Sequence, residues 1–224
     1  MSEPTALGTS LRTAAVMLVF TAAFTGAMAF AYRATKSTID ASLEQEKMKL
    51  VNEVLPPSAY DNVLLQDHVD TGPLADLGID DTSRIFRARK GEVPVALVFE
   101  AVAPDGYGGR ITLLVAVRMT GNVGGDGAGV RVTQHKETPG LGDYIDIRKD
   151  RNKARPWITQ FNDQGFDRVT AAEWKVKKDG GRFDQMTGAT ISARAVTNAT
   201  GKALKFAGAN AERIFGLPNG AKLQ

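Results

Sequence analysis

Residues 184–190, with the sequence DQMTGAT, combine side chains and a backbone that could hold an anion. Thr187 and Thr190 bracket a Gly-Ala step, and a run typical of a helix follows at Ile191. Hydroxyl and Asx residues before such a run indicate a helix start, and a helix N-terminus offers free N–H groups to a phosphate. The segment therefore predicts either a phosphate site beside the Thr190 hydroxyl or a plain N-cap at Thr190.

A second loop with side chains capable of chemistry is found at residues 135–143, HKETPGLGD. His135 and Glu137 are two positions apart, so on a strand both would lie on the same side. They could form a general acid–base pair or contribute to a metal site. One imidazole and one carboxylate are too few ligands for a metal, so no metal site is predicted. Pro139 and the glycines around it indicate a tight, irregular loop.

A third motif, GYGG at residues 106–109, precedes an alternating apolar run. The three motifs, in this order, resemble those of the FMN-binding domain family, whose flavinylation motif reads Asp-x-x-Ser/Thr-Gly-Ala-Thr. With the apolar N-terminal segment, the chain resembles the G subunit of the Rnf (Rsx) ion-translocating electron transport complexes. The C subunit of the sodium-translocating NADH:quinone reductase shares the domain and is the nearest alternative.

The resemblance implies a covalent FMN, joined through a phosphoester to the Thr190 oxygen by a separate flavin transferase that uses FAD and a divalent metal. Small residues before it would let the backbone approach the phosphate. The remaining residues that we expect at the cofactor are Thr187 and Ser192 on the phosphate oxygens, Gly188 and Ala189 in the turn, Asp184 for the turn or the transferase, and Glu137, Thr138, Leu141, Tyr107 and Trp157 around the flavin.

The resemblance implies that the chain relays electrons through a flavin that is covalently attached and therefore cannot dissociate. FMN takes one or two electrons, so a tethered FMN can link two-electron and one-electron partners. The expected partners are the other membrane and peripheral subunits of a complex in which electron flow is coupled to ion movement. No residue resembles a substrate-binding acid or base, so we expect a non-autonomous redox subunit without stand-alone catalysis.

Two further hypotheses come from other classes of protein. A membrane-anchored scaffold module without cofactor would be colourless, with Thr190 serving only as a helix cap. A hydrolase with Thr190 as nucleophile would need an adjacent base, and neither His nor Lys neighbours Thr190 in sequence.

Composition restricts the remaining possibilities. The 224-residue chain has no cysteine, which excludes disulfides and cysteine-ligated zinc or iron–sulfur clusters. The net charge is only +3, and no basic cluster is interleaved with aromatics, so the sequence does not predict nucleic-acid binding.

Residues 13–32 contain no charged side chain, and roughly 20 apolar residues span a bilayer. This length predicts an uncleaved transmembrane helix, although a signal peptide cleaved after Ala29 is the alternative. Orientation is taken from the resemblance alone, which implies a bacterial inner-membrane protein with residues 1–12 as a short cytoplasmic tail. Residues 33–57 would form a juxtamembrane helix that continues as a solvated stalk, and residues 58–224 a periplasmic FMN-binding domain.

The pattern after the anchor predicts an α+β fold. Strands are expected at residues 84–88, 93–99, 110–117 and 130–134 and again at 168–178, and loop with short helix at 58–77. The glycine run at residues 121–129 is interpreted as a flexible hairpin. A helix is predicted over residues 190–206, followed by a loose tail after Pro218.

Overall fold

The computed structural model describes residues 6–120 and 123–223, and gives only the backbone of residues 6–9, 37–41, 43–44, 120, 123–126 and 128. The chain divides into two compact units, Met1–Lys47 and Met48–Gln224. The first unit consists of the larger part of helix α1 (Ala6–Val54). Its segment Ser10–Lys36 has no buried residue and is long and apolar enough to cross a membrane.

The second unit is built on a six-stranded sheet in the order β5-β4-β3-β2-β1-β6. Each of the first four strands pairs antiparallel with the next one along the chain, and β6 pairs parallel to β1. Their bounds are β1 His68–Thr71, β2 Ser83–Lys90, β3 Val93–Gly106, β4 Gly109–Thr120, β5 Val123–Gln134 and β6 Lys222–Leu223. The α+β class and four of the predicted strands are confirmed, and GYGG forms the turn between β3 and β4.

Helix α2 (Thr190–Gly216) covers one face of this sheet and forms the main core with it. Its fully buried side chains recur at helical spacing, as at Ala193, Val196 and Ala203, so small residues bring the helix close to the strands. Phe99 of β3 meets Phe206 edge-on at 5.8 Å. The helix is longer than predicted, because the buried face continues beyond Phe206 to Ile214.

Two arginines of β2 fix the C-terminal end of α2. Arg87 donates from Nη1 to the carbonyls of Ile214 (3.1 Å) and Leu217 (2.5 Å), and Arg89 donates to the Phe215 carbonyl (3.0 Å). The Asp67 carboxylate pairs with both guanidinium groups. Carbonyls at a helix C-terminus lack intrahelical donors and carry negative partial charge, so this arrangement satisfies them and holds the helix in register.

The other face of the sheet is covered by the last turns of α1. Val51 and Val54 are buried there in a cluster with Leu55, Leu64, Ala88, Ala96, Val98, Leu114 and Ala116. At Gly129 of β5 an added Cβ would lie 2.0 Å from the Val54 carbonyl oxygen, so only glycine permits this approach. The expectation of a solvated stalk is therefore wrong for the end of the helix.

The glycine run departs from the predicted hairpin. Strand β5 already begins at Val123, and Gly129 pairs with Ala116 of β4. Much of the run is therefore strand, while residues 121 and 122 of the predicted hairpin lie outside the described residues.

The predicted strand at residues 168–178 is wrong. The Trp174 N–H instead bonds the Thr170 carbonyl at 3.0 Å in a turn. The buried Trp174 ring donates from Nε1 to the Thr197 carbonyl (2.9 Å), and Gly201 leaves room for it, since a Cβ there would lie 2.6 Å from Trp174 Cδ1. The apolar residues Val169, Trp174 and Val176 each enter the core from irregular backbone, so their spacing does not come from a strand.

The tail was also predicted wrongly as loose. Lys222–Leu223 forms β6, and β1, within the segment predicted as loop and short helix, is its partner. Both strands are too short to give a hydrophobic period, so the sequence carries no signal for them.

Candidate functional site

The three sequence motifs meet at one buried carboxylate. Glu137 is 4% exposed and lies in the loop after β5. Its Oε1 accepts the backbone N–H of Gly108 in the β3–β4 turn (2.9 Å), and its Oε2 accepts the hydroxyl of Ser192 in the first turn of α2 (2.5 Å). A single side chain therefore joins the loop, the turn and the helix.

The glycines of two motifs allow this convergence. A Cβ at Gly106 would lie 2.8 Å from Glu137 Oε1, and one at Gly142 would lie 2.9 Å from Glu137 Oε2. A Cβ at Gly108 would lie 2.0 Å from the Lys136 carbonyl oxygen. The glycines are thus required for packing of the protein against itself.

Helix α2 begins at Thr190, and its N-cap residue is Ala189, which makes no side-chain capping bond. The N-cap interpretation of Thr190 is therefore wrong. The Thr190 side chain is half-buried, and its hydroxyl makes no hydrogen bond to the described residues. Because the first N–H groups of a helix lack intrahelical partners, the α2 N-terminus offers unpaired donors beside a threonine hydroxyl.

The turn before Thr190 is exposed and has a special backbone. Gly188 has φ of +88°, a region that favours glycine, and the Ala189 N–H bonds the Met186 carbonyl at 3.1 Å. Leu141 packs against this turn, with its Cδ1 3.6 Å from where a Gly188 Cβ would be. The predicted residues Thr187, Gly188, Ala189 and Leu141 are thus brought together next to Thr190.

Two side chains hold the chain at Asp184, where the motif begins. Trp157 Nε1 donates to the Asp184 carbonyl (2.7 Å), and the Asp184 N–H donates to Gln160 Oε1 (2.7 Å). The Asp184 carboxylate pairs with Lys177 Nζ at 2.6 Å. Trp157 also lines an open cleft of about 380 Å³ together with Tyr144 and Met186, so this predicted residue does border the motif.

Tyr144 is the residue that sequence reasoning missed. Its hydroxyl donates to the Ala189 carbonyl (3.2 Å) and accepts the Met186 N–H (3.2 Å), so it bridges both ends of the turn. Its ring meets Trp157 edge-on at 5.2 Å. The one signal in the sequence is that Tyr144 immediately follows the 135–143 loop.

Three predicted residues have other surroundings than expected. Ser192 is buried, and its hydroxyl proton goes to Glu137 rather than outward to a phosphate position. Thr138 is exposed and contributes its carbonyl, which accepts the Leu141 N–H at 3.1 Å. Tyr107 is 68% exposed at the tip of the β3–β4 turn.

His135 and Glu137 do not form the pair that their spacing indicated. Both follow the end of β5 at Gln134, so they do not share a strand face. His135 Nδ1 instead accepts the Glu137 backbone N–H (3.1 Å), and its Nε2 lies 3.8 Å from Asp146 Oδ2. Among the described residues no group of three or more His, Cys, Asp or Glu side chains could hold a metal.

Burial and neighbouring charges determine the protonation states of His135, Asp146 and Tyr144. Burial and the nearby Lys149 charge lower the pKa of His135 below its ordinary value, so its Nδ1 remains an acceptor. Burial alone would raise the pKa of Asp146, but hydrogen bonds from Arg148 outweigh it and hold that pKa below the usual value. Burial raises the pKa of Tyr144 to about 12, so its hydroxyl keeps its proton at neutral pH.

The pKa of His135 predicts a pH-dependent stability. Because the folded chain disfavours the imidazolium, the unfolded chain binds more protons just below the ordinary histidine pKa of about 6.5. The free energy of unfolding should be highest above that pH. It should fall as the pH drops toward the lowered pKa that His135 has in the folded chain. We expect the Tm to fall by about a few degrees from pH 7 to pH 5.5.

The variant His135→Asn should flatten this part of the profile, since an amide oxygen can accept the Glu137 N–H without titrating. His68→Asn, which removes the other histidine, is the control and should keep the slope. Calorimetric melts at several pH values measure both, and an unchanged slope in His135→Asn would refute the assignment.

In residues 143–155 the acidic side chains are buried and the basic side chains are exposed. Asp143, Asp146 and Asp150 are buried, and Asp150 accepts the Trp157 N–H at 2.5 Å. The basic side chains are all exposed, namely Arg148, Lys149, Arg151, Lys153 and Arg155. Arg151 Nη2 would lie 3.4 Å from a Cβ at Gly140, so this positive surface reaches the loop that contacts the turn before Thr190.

Comparison with known proteins assigns both parts of the chain to known families. The model of the FMN-binding domain matches residues 106–205, which contain all three motifs. The model of the RnfG N-terminal region matches residues 1–54, which contain the apolar helix.

Similar curated proteins are named as the G subunit of the ion-translocating oxidoreductase complex. The protein of Cronobacter sakazakii is 42% identical over 131 residues, which cover 58% of this chain and 60% of that protein. The match thus spans less than two thirds of that relative, and the same holds for the Salmonella typhimurium protein at 43% identity and 60% coverage. The Pseudomonas aeruginosa protein is 39% identical over 205 residues, or 92% of each chain. The chain therefore belongs to the family of G subunits of the ion-translocating oxidoreductase complexes, and contains its FMN-binding domain.

Proposed function

We propose that this chain is a membrane-anchored electron-transfer subunit that carries FMN covalently on Thr190, within a complex that couples electron transfer to ion translocation. The observation that carries the proposal is the hydroxyl of Thr190 at the uncapped N-terminus of α2, without a hydrogen-bond partner among the described residues. A hydroxyl in this position can accept a phosphoryl group without breaking an interaction of the folded protein.

The surroundings of Thr190 fit a phosphate. Unpaired N–H groups at the start of α2 and the positive end of its dipole favour a negative group there. Gly188 keeps the approach open, and the exposed basic side chains of residues 148–155 add positive potential nearby. A Ser192 contact to the phosphate is not required, since its proton is held by Glu137.

The apolar side chains around the turn fit a flavin ring. Leu141, Met186 and Ile191 are 43%, 38% and 44% exposed, although large apolar side chains usually lie inside. A planar ring laid over them would remove apolar surface from water. FMN, when bound, supplies one- and two-electron transfer, while these residues orient it and limit the access of water.

The attachment would be a phosphoryl transfer catalysed by a separate flavin transferase, in which one bond to phosphorus forms and one breaks. The Thr190 Oγ attacks the phosphorus of the FMN half of FAD, and a new O–P bond forms. The P–O bond of the pyrophosphate breaks, AMP leaves with the electron pair, and the threonine proton passes to solvent or to a base of the transferase. No oxidant is consumed.

We further propose that residues 13–32, within the apolar segment Ser10–Lys36, remain as an anchor in a bacterial inner membrane. Residues 1–12 would then be cytoplasmic, and residues 58–224 would form a periplasmic domain. Other subunits of the complex would exchange electrons with the flavin from there.

The other hypotheses have less support. The match to the RnfG N-terminal region favours the G subunit over the C subunit of the quinone reductase. The scaffold hypothesis gave Thr190 a capping role, which Ala189 occupies instead. A threonine hydrolase needs a base at the nucleophile, and in the described ranges no side chain hydrogen-bonds to Thr190.

In-gel ultraviolet fluorescence of the denatured protein tests the proposal directly. The full chain is co-expressed with an active flavin transferase, and free flavin is removed by denaturation. A fluorescent band, together with bleaching of the native visible spectrum by dithionite, supports a covalent redox flavin. A dark band, with the same transferase active on another acceptor protein, would refute covalent attachment.

A further inference from the structure

The Tyr144 hydroxyl makes two contacts with the segment that precedes Thr190. It donates to the Ala189 carbonyl and accepts the Met186 N–H, each at 3.2 Å. A tyrosine hydroxyl offers one donor and acts as an acceptor, and both capacities are used here on one turn. The turn between these two contacts contains Thr187 and Gly188, and Thr190 follows it directly.

The contacts are made in a rigid environment. Tyr144 is 3% exposed, and its ring meets Trp157 edge-on, while Trp157 in turn holds the Asp184 carbonyl. Ile145, the next residue, is fully buried in the main core. Tyr144 is therefore anchored independently of the exposed turn that its hydroxyl contacts.

The turn itself is weakly restrained from within. Thr187 and Gly188 are exposed, and Gly188 has access to more backbone conformations than any other residue type would. The internal bond from the Ala189 N–H to the Met186 carbonyl closes the turn but does not tie it to the domain. The two bonds of Tyr144 do tie residues 186–189 to the core.

We propose that Tyr144 is a positioning residue for flavin attachment, whose hydroxyl holds the 186–189 turn so that Thr190 is presented to the transferase in a reactive orientation. The inference rests on the proposed function, because it needs Thr190 to be the acceptor. Phosphoryl transfer requires the attacking oxygen to be in line with the leaving group, and displacement by about 1 Å can cost on the order of 100-fold in rate.

The variant Tyr144→Phe removes the hydroxyl and keeps the ring, so the contacts with Trp157 and the core remain. Loss of buried hydrogen bonds costs about 1–3 kcal/mol, against a typical stability of about 5–15 kcal/mol, so the variant should still fold. Tyr60→Phe is the control, because it removes a hydroxyl from another tyrosine, which is partly buried and packs against the cluster on the opposite face of the sheet.

The measurement is the rate at which purified flavin transferase labels each detergent-solubilised chain with FAD and Mg²⁺, read from in-gel fluorescence over time. We expect Tyr144→Phe to lower kcat for labelling about tenfold or more, with a smaller change in the KM for the acceptor chain. Tyr60→Phe should label like the wild type. Amide hydrogen exchange should be faster at Met186 in Tyr144→Phe and unchanged there in the control.

The outcomes separate the two proposals. If the wild-type chain is not labelled, the proposed function fails and the role of Tyr144 fails with it. If the wild type is labelled and Tyr144→Phe is labelled at the same rate, only the positioning role is overturned. A lowered Tm with an unchanged rate would likewise assign Tyr144 to stability alone.

Discussion

The variant Thr190→Ala should carry no covalent flavin, whereas its fold and Tm should be nearly those of the wild-type apoprotein. The attachment needs an oxygen on this side chain, and alanine has none. The Thr190 hydroxyl has no hydrogen bond to lose within the described structure, and alanine, which has the highest intrinsic helix propensity, is compatible with the start of α2. The change in unfolding free energy should stay within about 0.5 kcal/mol.

In-gel fluorescence and intact mass of co-expressed protein measure the loss, and circular dichroism melts measure the fold. Thr187→Ala is the matched control, since it removes the other hydroxyl of the motif three residues away and should leave a fluorescent band. Thr190→Ser keeps an oxygen and should be labelled in part. Fluorescence that survives in Thr190→Ala but disappears in Thr187→Ala would move the attachment site to Thr187.

The Thr190→Ala protein would also show what covalency contributes. If the 186–189 turn and the apolar side chains beside it bind FMN without a covalent bond, added FMN should still associate reversibly. The N–H groups of α2 and the exposed side chains of Leu141 and Met186 are unchanged in this variant. Dialysis would then remove the FMN. A flavin that must stay with its subunit through many electron transfers cannot depend on such an equilibrium, which would give the proposed phosphoester its physical advantage.

The sequence predicted the central elements of the fold because their signals are local. Alternating apolar residues marked β2, β3 and β4, and the break at GYGG marked the turn between β3 and β4. The start of α2 was predicted at Thr190, where hydroxyl and small residues precede an apolar period. These signals depend on few neighbours, so a single chain is enough to read them.

What the sequence could not predict depends on contacts between distant residues. The short strand β1 pairs with β6 about 150 residues later, and neither has a period of its own. Residues 168–178 alternate because Val169, Trp174 and Val176 enter the core from irregular backbone. Likewise, the last turns of α1 pack on the sheet because Gly129 of a distant strand leaves space for Val54.

The candidate site likewise contains residues that the sequence predicted and a residue that only the structure identifies. Composition and motif predicted Thr190 and its turn, but the side chain that holds the turn, Tyr144, belongs to no recognisable pattern. The motifs also implied that Ser192 and Glu137 face a cofactor. In the structure these two groups face each other, because their burial leaves each as the other's partner.

Glu137→Ala should therefore destabilise the domain strongly, even without flavin. The substitution leaves the Ser192 hydroxyl and the Gly108 N–H without their acceptor and opens space between Gly106 and Gly142. Hydrogen bonds to a charged acceptor are worth about 1.5–3 kcal/mol each, and the relief of burying a charge offsets part of that loss. A net loss of about 2–4 kcal/mol would lower the Tm by roughly 5–15 °C in a domain of this size.

Melts of the apoprotein test this expectation, with Glu100→Ala as control, since Glu100 is an exposed glutamate on β3 and its loss should change stability by less than about 0.5 kcal/mol. Glu137→Gln should recover most of the loss, because its amide oxygen can accept the Gly108 N–H while its amide nitrogen donates to the Ser192 hydroxyl, which can also act as an acceptor. Ser192→Ala combined with Glu137→Ala should cost less than the sum of the single changes, since each removes the same bond. If Glu137→Ala instead kept the wild-type Tm and lost only flavin binding, Glu137 would be a ligand of the cofactor and not the link between the three motifs.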